Sequence, residues 1–450
     1  MRHKFVVFLV VVGGMLVVRA AYGDNVVFRH VRIIDGNGGA PMEDASLVIE
    51  GDHIAAVRAD SAATAPAGAE VRDLSGKTVL PGLISDHSHV GLIDGLSAAP
   101  QNYNRQNIVR QLKQFQRYGI TTVMALGLND RLAYPDLRAE AHADTLGGAD
   151  LFAADCGIGI PDGAPPVVFG PNQLYRPQTP ELARAAVREM AERHADLIKV
   201  WVDDFHHSLK VKMSPEMYGA VIDEAHKLGL RVAAHVYYLD DARTLVAAGV
   251  DILAHGVRDQ AVDNDFIKQI KTAGTWYIAT LGLDESFYIF AEHPEWMKSA
   301  FLTEALQPAL ANQFNNPTWR AVALGGPHQV EVDKASLQTN MKNLKSLYDA
   351  GVKIGFGTDS GATPLRIPGF AEHRELALST EAGLTPLAAI TLATRNAAEL
   401  MRLDDRGVIA AGKRADLLVV DGDPSKNIKD VDRIDSVWQR GKRVADAMPQ

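Results

Sequence analysis

Six residues of this 450-residue sequence could act together on a metal ion. His87 and His89 stand two apart in PGLISDHSHVG. In an extended strand residues two apart project from one face, so the two imidazoles would be offered as a pair. Lys199 interrupts the apolar run LIKVWVDD, on one face with Leu197 and Trp201. A lysine so placed must find a partner or lose its charge. His235 ends RVAAHVYY, His255 ends DILAHG, and Asp359 ends KIGFGTDSG. Divalent transition metals favour imidazole and carboxylate ligands. Four histidines and one aspartate are too many for one ion that keeps an open position. They suit two ions, given a bridging anion, and a neutral lysine amine that takes up carbon dioxide becomes one, a carbamate. Two such ions would bring the pKa of a shared water down towards neutrality and polarise a scissile carbonyl. Asp359 could then take the hydroxide's proton and return it to the leaving amine, as general acid and base. Zinc is the first expectation for the ions, with manganese or cobalt as alternatives.

Three further residues are candidates for the surroundings. Tyr237, two after His235, is placed to hydrogen-bond a substrate carbonyl. Arg258, three after His255, could hold a substrate carboxylate. His373, in AEHREL, could contact substrate or support the site. The other histidines singled out, His206, His207, His226, His293 and His328, read as ordinary surface or packed residues. Asp203 and Asp204 read as a pair at a helix start or in a loop, and Cys156 as a packed small side chain.

The elements that must carry these residues alternate. Short apolar runs occur at Gly82–Ser85, Thr121–Ala125, Asp150–Ala154, Leu197–Val202, Arg231–Ala234, Asp251–Ala254, Trp276–Leu281 and Lys353–Gly357. Helix-type stretches lie between most of them, several ending at a glycine just before the next run: Gly119, Gly229, Gly249, Gly351. Helix, C-cap glycine and strand form the repeat of a parallel α/β protein. Eight repeats predict an α/β fold of the (β/α)8 TIM-barrel type, whose chemistry sits at the C-terminal ends of the strands. A doubly wound sheet is the rival, but no glycine-rich phosphate loop follows a first strand. Residues 284–335, with Phe287, Tyr288, Phe290, Trp296 and Trp319, read as a helical insertion after the seventh strand. Both ends of the chain carry β-type runs, and neither is long enough for its own core. They are expected to combine into one small β-sandwich, 24–80 plus 405–450, around a barrel at 81–404.

Composition narrows the function. Apolar residues make up 47% and charged residues 22%, which excludes a disordered chain. The formal charge of −9 leaves no basic stripe for nucleic acid. One cysteine excludes a disulfide framework and a cysteine-rich zinc module. Residues 1–23 read as a signal peptide: Arg2 and Lys4, an apolar run from Phe5 to Val18, and small residues before Asp24. A membrane anchor is the alternative, but the run is short for a span. Export to the periplasm or outside the cell, with no stable membrane anchor, is therefore expected. Removing Arg2, Lys4 and Arg19 with no acid takes the charge to −12.

PGLISDHSHVG, IKVWVDD, AAHVYY, DILAHG, GFGTDSG and the terminal VIAAGKRADLLVVDGDP occur in the order found in the metal-dependent amidohydrolase superfamily, which the chain resembles. The resemblance implies a (β/α)8 barrel with a split β-sandwich and a binuclear centre bridged by carboxylated Lys199. It implies that His87, His89 and Asp359 hold one metal and His235 and His255 the other. Mononuclear deaminase-like members lack the lysine. In general texture the chain is similar to members that act as Xaa-Pro dipeptidases, aminoacyl carboxypeptidases and ochratoxin-type amide hydrolases. The expected activity is hydrolysis of an amide bond in a dipeptide or N-acyl amino acid. The alternatives are a lactonase, esterase or phosphotriesterase on the same centre, a mononuclear deaminase, or a catalytically dead binding barrel. A small molecule or short peptide is the expected partner, and self-association is left open.

Overall fold

The structure, a computed structural model, describes residues 25–62 and 65–449. The leader reading falls on residues outside this range. Eight short strands occupy the eight apolar runs: β1 (Leu83–Ser88), β2 (Ile120–Ala125), β3 (Asp150–Ala153), β4 (Ile198–Trp201), β5 (Val232–His235), β6 (Ile252–Leu253), β7 (Trp276–Ile278) and β8 (Ile354–Gly355). All their neighbour pairings are parallel, in two ladders, β3-β2-β1 and β4-β5-β6-β7-β8. Backbone bonds link the ladder ends. Asp86 N donates to Phe356 O (2.6 Å) and Thr358 N to His87 O (3.0 Å), which ties β1 to the segment after β8. Ile158, just beyond β3, donates to Lys199 O (2.8 Å) and accepts from Trp201 N (3.2 Å).

The intervening helices start as their sequences dictate. Thr179 and Ser214 accept from Leu182 N and Met217 N, with a proline next in each chain, and their apolar faces are buried. Gly229 and Gly249 take φ of 74° and 88° where the chain turns from helix to strand, a conformation that favours glycine.

The two chain ends share one eight-stranded sheet. Its junction is the antiparallel pairing of Lys77–Pro81 with Leu417–Asp421, Leu80 opposite Leu418. The sheet has its own apolar cluster, including Phe28, Leu47, Leu417 and Trp438, separate from that around β1–β8. Phe28 and Trp438 meet edge to face at 5.1 Å. The segment after β7 is helical, as expected. It begins at α1 (Gly282–Glu285), passes through short helices, and ends in α2 (Pro327–Asp349). A further helix, α3 (Phe370–Glu381), follows β8. Among the described residues no helix is long and apolar enough to cross a membrane.

Candidate metal centre

His87, in β1, and His89, just beyond it, each bring Nε2 to 3.1 Å from Asp359 Oδ1. The ligand atoms of all three lie within 4.8 Å of one another, on buried side chains. His235 closes β5 and His255 follows β6. The His255 ring stands 4.5 Å from that of His87 and 4.4 Å from that of His235. Lys199, in the middle of β4, is fully buried.

The partners of these rings decide which nitrogen is free. His87 Nδ1 lies 2.5 Å from Ala254 O, and His89 Nδ1 lies 3.2 Å from Gly127 O. A carbonyl only accepts, so each Nδ1 carries the proton and each Nε2 offers a lone pair. His255 Nδ1 is 3.0 Å from Thr280 Oγ1, which orients that ring in turn. On His235 the occupied nitrogen is Nε2, 3.2 Å from Asp203 Oδ2, and Phe205 stacks on the ring at 4.5 Å.

Burial sets the charge states. It takes His87 down to about 3, with Lys199 adding to the shift and Asp359 opposing it. His235 and His255 are also lowered, chiefly by burial, so these rings are neutral, the state a metal requires. Burial pushes the Asp359 carboxyl up, but the Arg366 guanidinium outweighs it and holds it well below the usual range. Burial lowers Lys199 to about 7, against the pull of Asp359 and Asp203. His87 Nε2 and Lys199 Nζ are among the buried polar atoms here that have no hydrogen-bond partner. Neutral imidazoles, an ionised carboxylate and unsatisfied nitrogen donors fit divalent cations.

The backbone is strained to make this arrangement. Asp359 takes φ of +59° and Thr280 +48°, both left-handed, and Thr280 is β-branched. Asp359 N donates to His87 O (2.9 Å). The buried Glu372 carboxylate of α3 brackets it, accepting from Thr358 Oγ1 (2.6 Å) and Ser360 Oγ (2.7 Å).

A cavity of about 740 Å³ opens over the centre. His89, His235, His255 and Asp359 line its floor, with Arg258 and Arg366 at the side. Asp284, Phe287, Val330 and Asp333, from the segment after β7, line it from above. Arg258 is buried, donates to Gly256 O (2.9 Å), and holds Nε 3.2 Å from Asp284 Oδ2. Arg366 is paired with Asp359. Tyr237 stands behind this wall, its hydroxyl 3.2 Å from Ser336 Oγ and its ring beneath Arg258 and His206.

The structure thus brings together His87, His89, Lys199, His235, His255 and Asp359, with Arg258 at the cavity and Tyr237 beside it. His373 is not brought there, which corrects its expected place at the substrate. Its Nδ1 is 2.8 Å from Asp432 and its Nε2 2.8 Å from Tyr118 O, and it lines a different cavity with Phe301 and Phe370. Sequence reasoning underrated Asp203, which lies against His235 rather than in a plain loop, and His206, which lines the cavity. Phe205, His206 and His207 all take positive φ, their turn held by Asp203 and Asp204 accepting backbone N–H groups. It missed Arg366, Thr280, Glu372, Asp284 and Asp333, none of which belongs to a recognisable spacing. Cys156 is packed, as expected, with Sγ 3.0 Å from Asn172 O.

Parallel strands whose C-terminal ends gather buried, neutral imidazoles around a carboxylate under a large cavity define a metal-dependent enzyme of the α/β class. The amidohydrolase family model matches residues 78–444. The chain belongs to that family and is a metal-dependent hydrolase acting on carbon–nitrogen bonds. It is 23% identical over 410 residues to 5-methylthioadenosine/S-adenosylhomocysteine deaminase of Bacillus cereus, covering 87% of this chain and 84% of that one. Among solved structures, a Xaa-Pro dipeptidase with methionine bound in its active site matches at TM-score 0.72 and 24% identity, over 93% of this chain and 99% of that one. Ochratoxinase of A. niger matches at TM-score 0.72 and 22% identity, over 94% and 96%. These structural likenesses establish a shared fold.

Proposed function

We propose that the chain hydrolyses an amide bond in a small substrate, a dipeptide or N-acyl amino acid, at a binuclear centre. The observation that carries this reading is the meeting of six residues carried by five separate strands, with Arg258 on the wall of the adjoining cavity. In this reading His87, His89 and Asp359 hold one ion and His235 and His255 the other, with Lys199 as a bridging carbamate. Lys199 supports it by being buried and without a hydrogen-bond partner, since only a neutral amine takes up carbon dioxide. When bound, the two ions, zinc first among the candidates, would supply Lewis acidity toward the carbonyl and a lowered pKa for a water. The chain's own residues do the rest. Asp359, kept ionised by Arg366, takes a proton at Oδ and delivers it to the departing amine. Arg258 neutralises a substrate carboxylate. The Tyr237 hydroxyl, turning from Ser336, donates to the carbonyl oxygen.

The eight parallel strands, linked at both ladder ends, are read as a (β/α)8 barrel over 81–404. The shared terminal sheet is read as a β-sandwich from 24–80 and 405–450. Export with loss of residues 1–23 rests on the sequence pattern.

The test is metal analysis of the purified chain beside a panel of dipeptide, N-acyl amino acid, ester and lactone substrates, with ammonia release measured in parallel. Amide turnover abolished by a chelator and restored by divalent metal is expected, as is loss of metal and activity in Lys199→Ala. Unchanged rate and metal content in Lys199→Ala would falsify the binuclear reading. Ammonia release with one ion per chain would favour a deaminase instead, the activity named for the Bacillus cereus relative.

A further inference from the structure

The buried face of α2 carries polar side chains among its leucines, Leu337, Leu344 and Leu347. Gln329, Asp333, Ser336, Asn340 and Asn343 follow one another at spacings of four, three, four and three, a stripe that is buried from Asp333 onward while Gln329 is exposed. The lower three each have a partner on the strand ends. Asn343 Nδ2 donates to Val257 O and Gln260 O (both 2.9 Å). Asn340 Nδ2 donates to Ala279 O (2.8 Å). Ser336 meets the Tyr237 hydroxyl. These contacts dock the helix beside His255 and Tyr237.

The upper two reach the cavity instead, and there Asp333 is left uncompensated. It is 4% exposed. Its hydrogen bond comes from Gln329 Nε2 at 2.8 Å, and among the described residues no basic side chain pairs with it; its neighbour Lys334 is turned to Glu292. Asp284, 2% exposed, lines the same cavity, and its Oδ2 makes no hydrogen bond although Arg258 Nε stands 3.2 Å away. Burial, and then the nearby charge of Asp284, push the Asp333 carboxyl up to about 6, opposed by Gln329. A buried carboxylate without a counter-charge is costly, and no core contact of α2 requires one at this turn.

We infer that Asp333, backed by Asp284, is the subsite for a cationic amine of the substrate. The inference rests on the amide-hydrolase reading above and sharpens it. A substrate with a free amino terminus fits the cavity, its carboxylate toward Arg258 and its ammonium toward Asp333. An N-acyl amino acid leaves Asp333 unsatisfied. Asp333 is therefore a residue of specificity: an ammonium donating to it restores the charge and hydrogen bonds it lacks.

The experiment compares alanyl-phenylalanine with N-acetyl-alanyl-phenylalanine on the metal-loaded enzyme and on Asp333→Asn. The wild-type chain is expected to prefer the free amine in kcat/KM by about tenfold or more. Asp333→Asn is expected to raise KM for the free dipeptide by a similar factor, leave kcat close to wild type, and leave the acetylated dipeptide unaffected. Asp333→Glu is expected to restore part of the preference. Equal kcat/KM for the two substrates on the wild-type enzyme, or equal losses for both in Asp333→Asn, would overturn the inference. Should Asp333→Asn fail to fold, the wild-type comparison decides alone. Should the enzyme turn over neither substrate, calorimetry of the two as ligands decides. Tighter binding of the free amine keeps the subsite and removes the amide-hydrolase reading, and equal binding removes the subsite.

Discussion

Adding one methyl group at Gly357 should damage the metal centre more than the fold. The residue lies two positions past β8 and two before Asp359. A Cβ there would stand 2.6 Å from His87 Cβ, 2.7 Å from His87 N and 3.0 Å from His87 Cα. Two of these atoms are backbone, so no rotamer change relieves the clash. Ordinary carbon contacts begin near 3.4 Å, so β1 and the segment after β8 must part by about 0.8 Å. That seam is held by Asp86 N to Phe356 O (2.6 Å) and Thr358 N to His87 O (3.0 Å), and a movement of this size would break the second bond. Overpacking of this kind costs about 1–3 kcal/mol. In a chain of this length that is a fall in Tm of a few degrees at most, since even domains of about 150–250 residues lose only about 2–4 °C per kcal/mol. The site suffers more, because His87 and Asp359, both proposed ligands, come from opposite sides of the same seam. Misplacing reacting groups by about 1 Å costs on the order of a hundredfold in rate. Gly357→Ala is expected to lose metal in elemental analysis and about two orders of magnitude in kcat, with only a small change by calorimetry. Gly219, inside a helix with nothing within 4 Å of its hypothetical Cβ, is the control. Gly219→Ala should keep metal and rate and gain up to about 1 kcal/mol. Full metal content and unchanged kcat in Gly357→Ala would show that the seam does not set the ligand geometry.

Three other perturbations test separate parts of the structure. Thr280→Val removes the oxygen 3.0 Å from His255 Nδ1 while keeping a β-branched residue in the strained turn. Metal affinity, read by chelator competition, should weaken about 10- to 100-fold, and Thr280→Ser should not weaken it. Glu375, buried in α3, accepts from Leu281 N (2.7 Å) and Gly282 N (2.8 Å), and burial pushes its carboxyl up to about 8 against those two bonds. The folded chain thus holds this proton more tightly than the unfolded chain, whose glutamate titrates near 4.5. Its contribution to stability is full below 4.5 and is lost as pH rises through 8. Tm measured from about pH 5 to 8 should therefore fall more steeply in the wild type than in Glu375→Gln, and parallel curves would refute the assignment. His373→Ala should leave kcat unchanged, because the ring serves Asp432 and Tyr118 O, while costing about 1–3 kcal/mol of stability. A tenfold fall in kcat with normal Tm would return His373 to the site.

The strands and the polar residues gathered at their rim were legible in the sequence for one reason. In a parallel α/β chain, a polar residue at the end of an apolar run has few places to be except the C-terminal rim. His235 and His255 needed only their runs to be placed. Boundaries were less legible. The run expected to end at Leu281 stops as a strand at Ile278, because Thr280 turns into a left-handed conformation to support His255. His373 was misjudged because nothing in AEHREL says which face of the helix meets which neighbour. Its partner Asp432 comes from a segment that only the joining of the two chain ends brings near. Arg366 is seven residues past Asp359, in a loop whose return path no local pattern encodes. Asp203 was visible in the run with Lys199, but its role depends on Phe205, His206 and His207 adopting three left-handed residues in succession.

Close approach explains how a rigid rim and a separate roof coexist. Helix α2 comes near enough to the loop after β6 that a Cβ on Gly256 would lie 1.8 Å from Asn340 Oδ1. A Cβ on Gly361 would lie 2.0 Å from His89 O. At both positions the missing side chain lets a neighbour close directly on the rim, the Asn340 side chain at Gly256 and the His89 backbone at Gly361. The helix is anchored through Asn340 and Asn343, and its first turns extend past that anchor over the cavity. Side chains at Gln329, Val330 and Asp333 can therefore change without moving His255, whereas a change at Asn340 would loosen Ala279 and, through the neighbouring Thr280, the histidine it orients. Reaction chemistry and substrate choice are thus held by different stretches of one helix-and-strand contact. The sequence shows the first through its ligands and conceals the second in an insertion whose inward face only packing reveals.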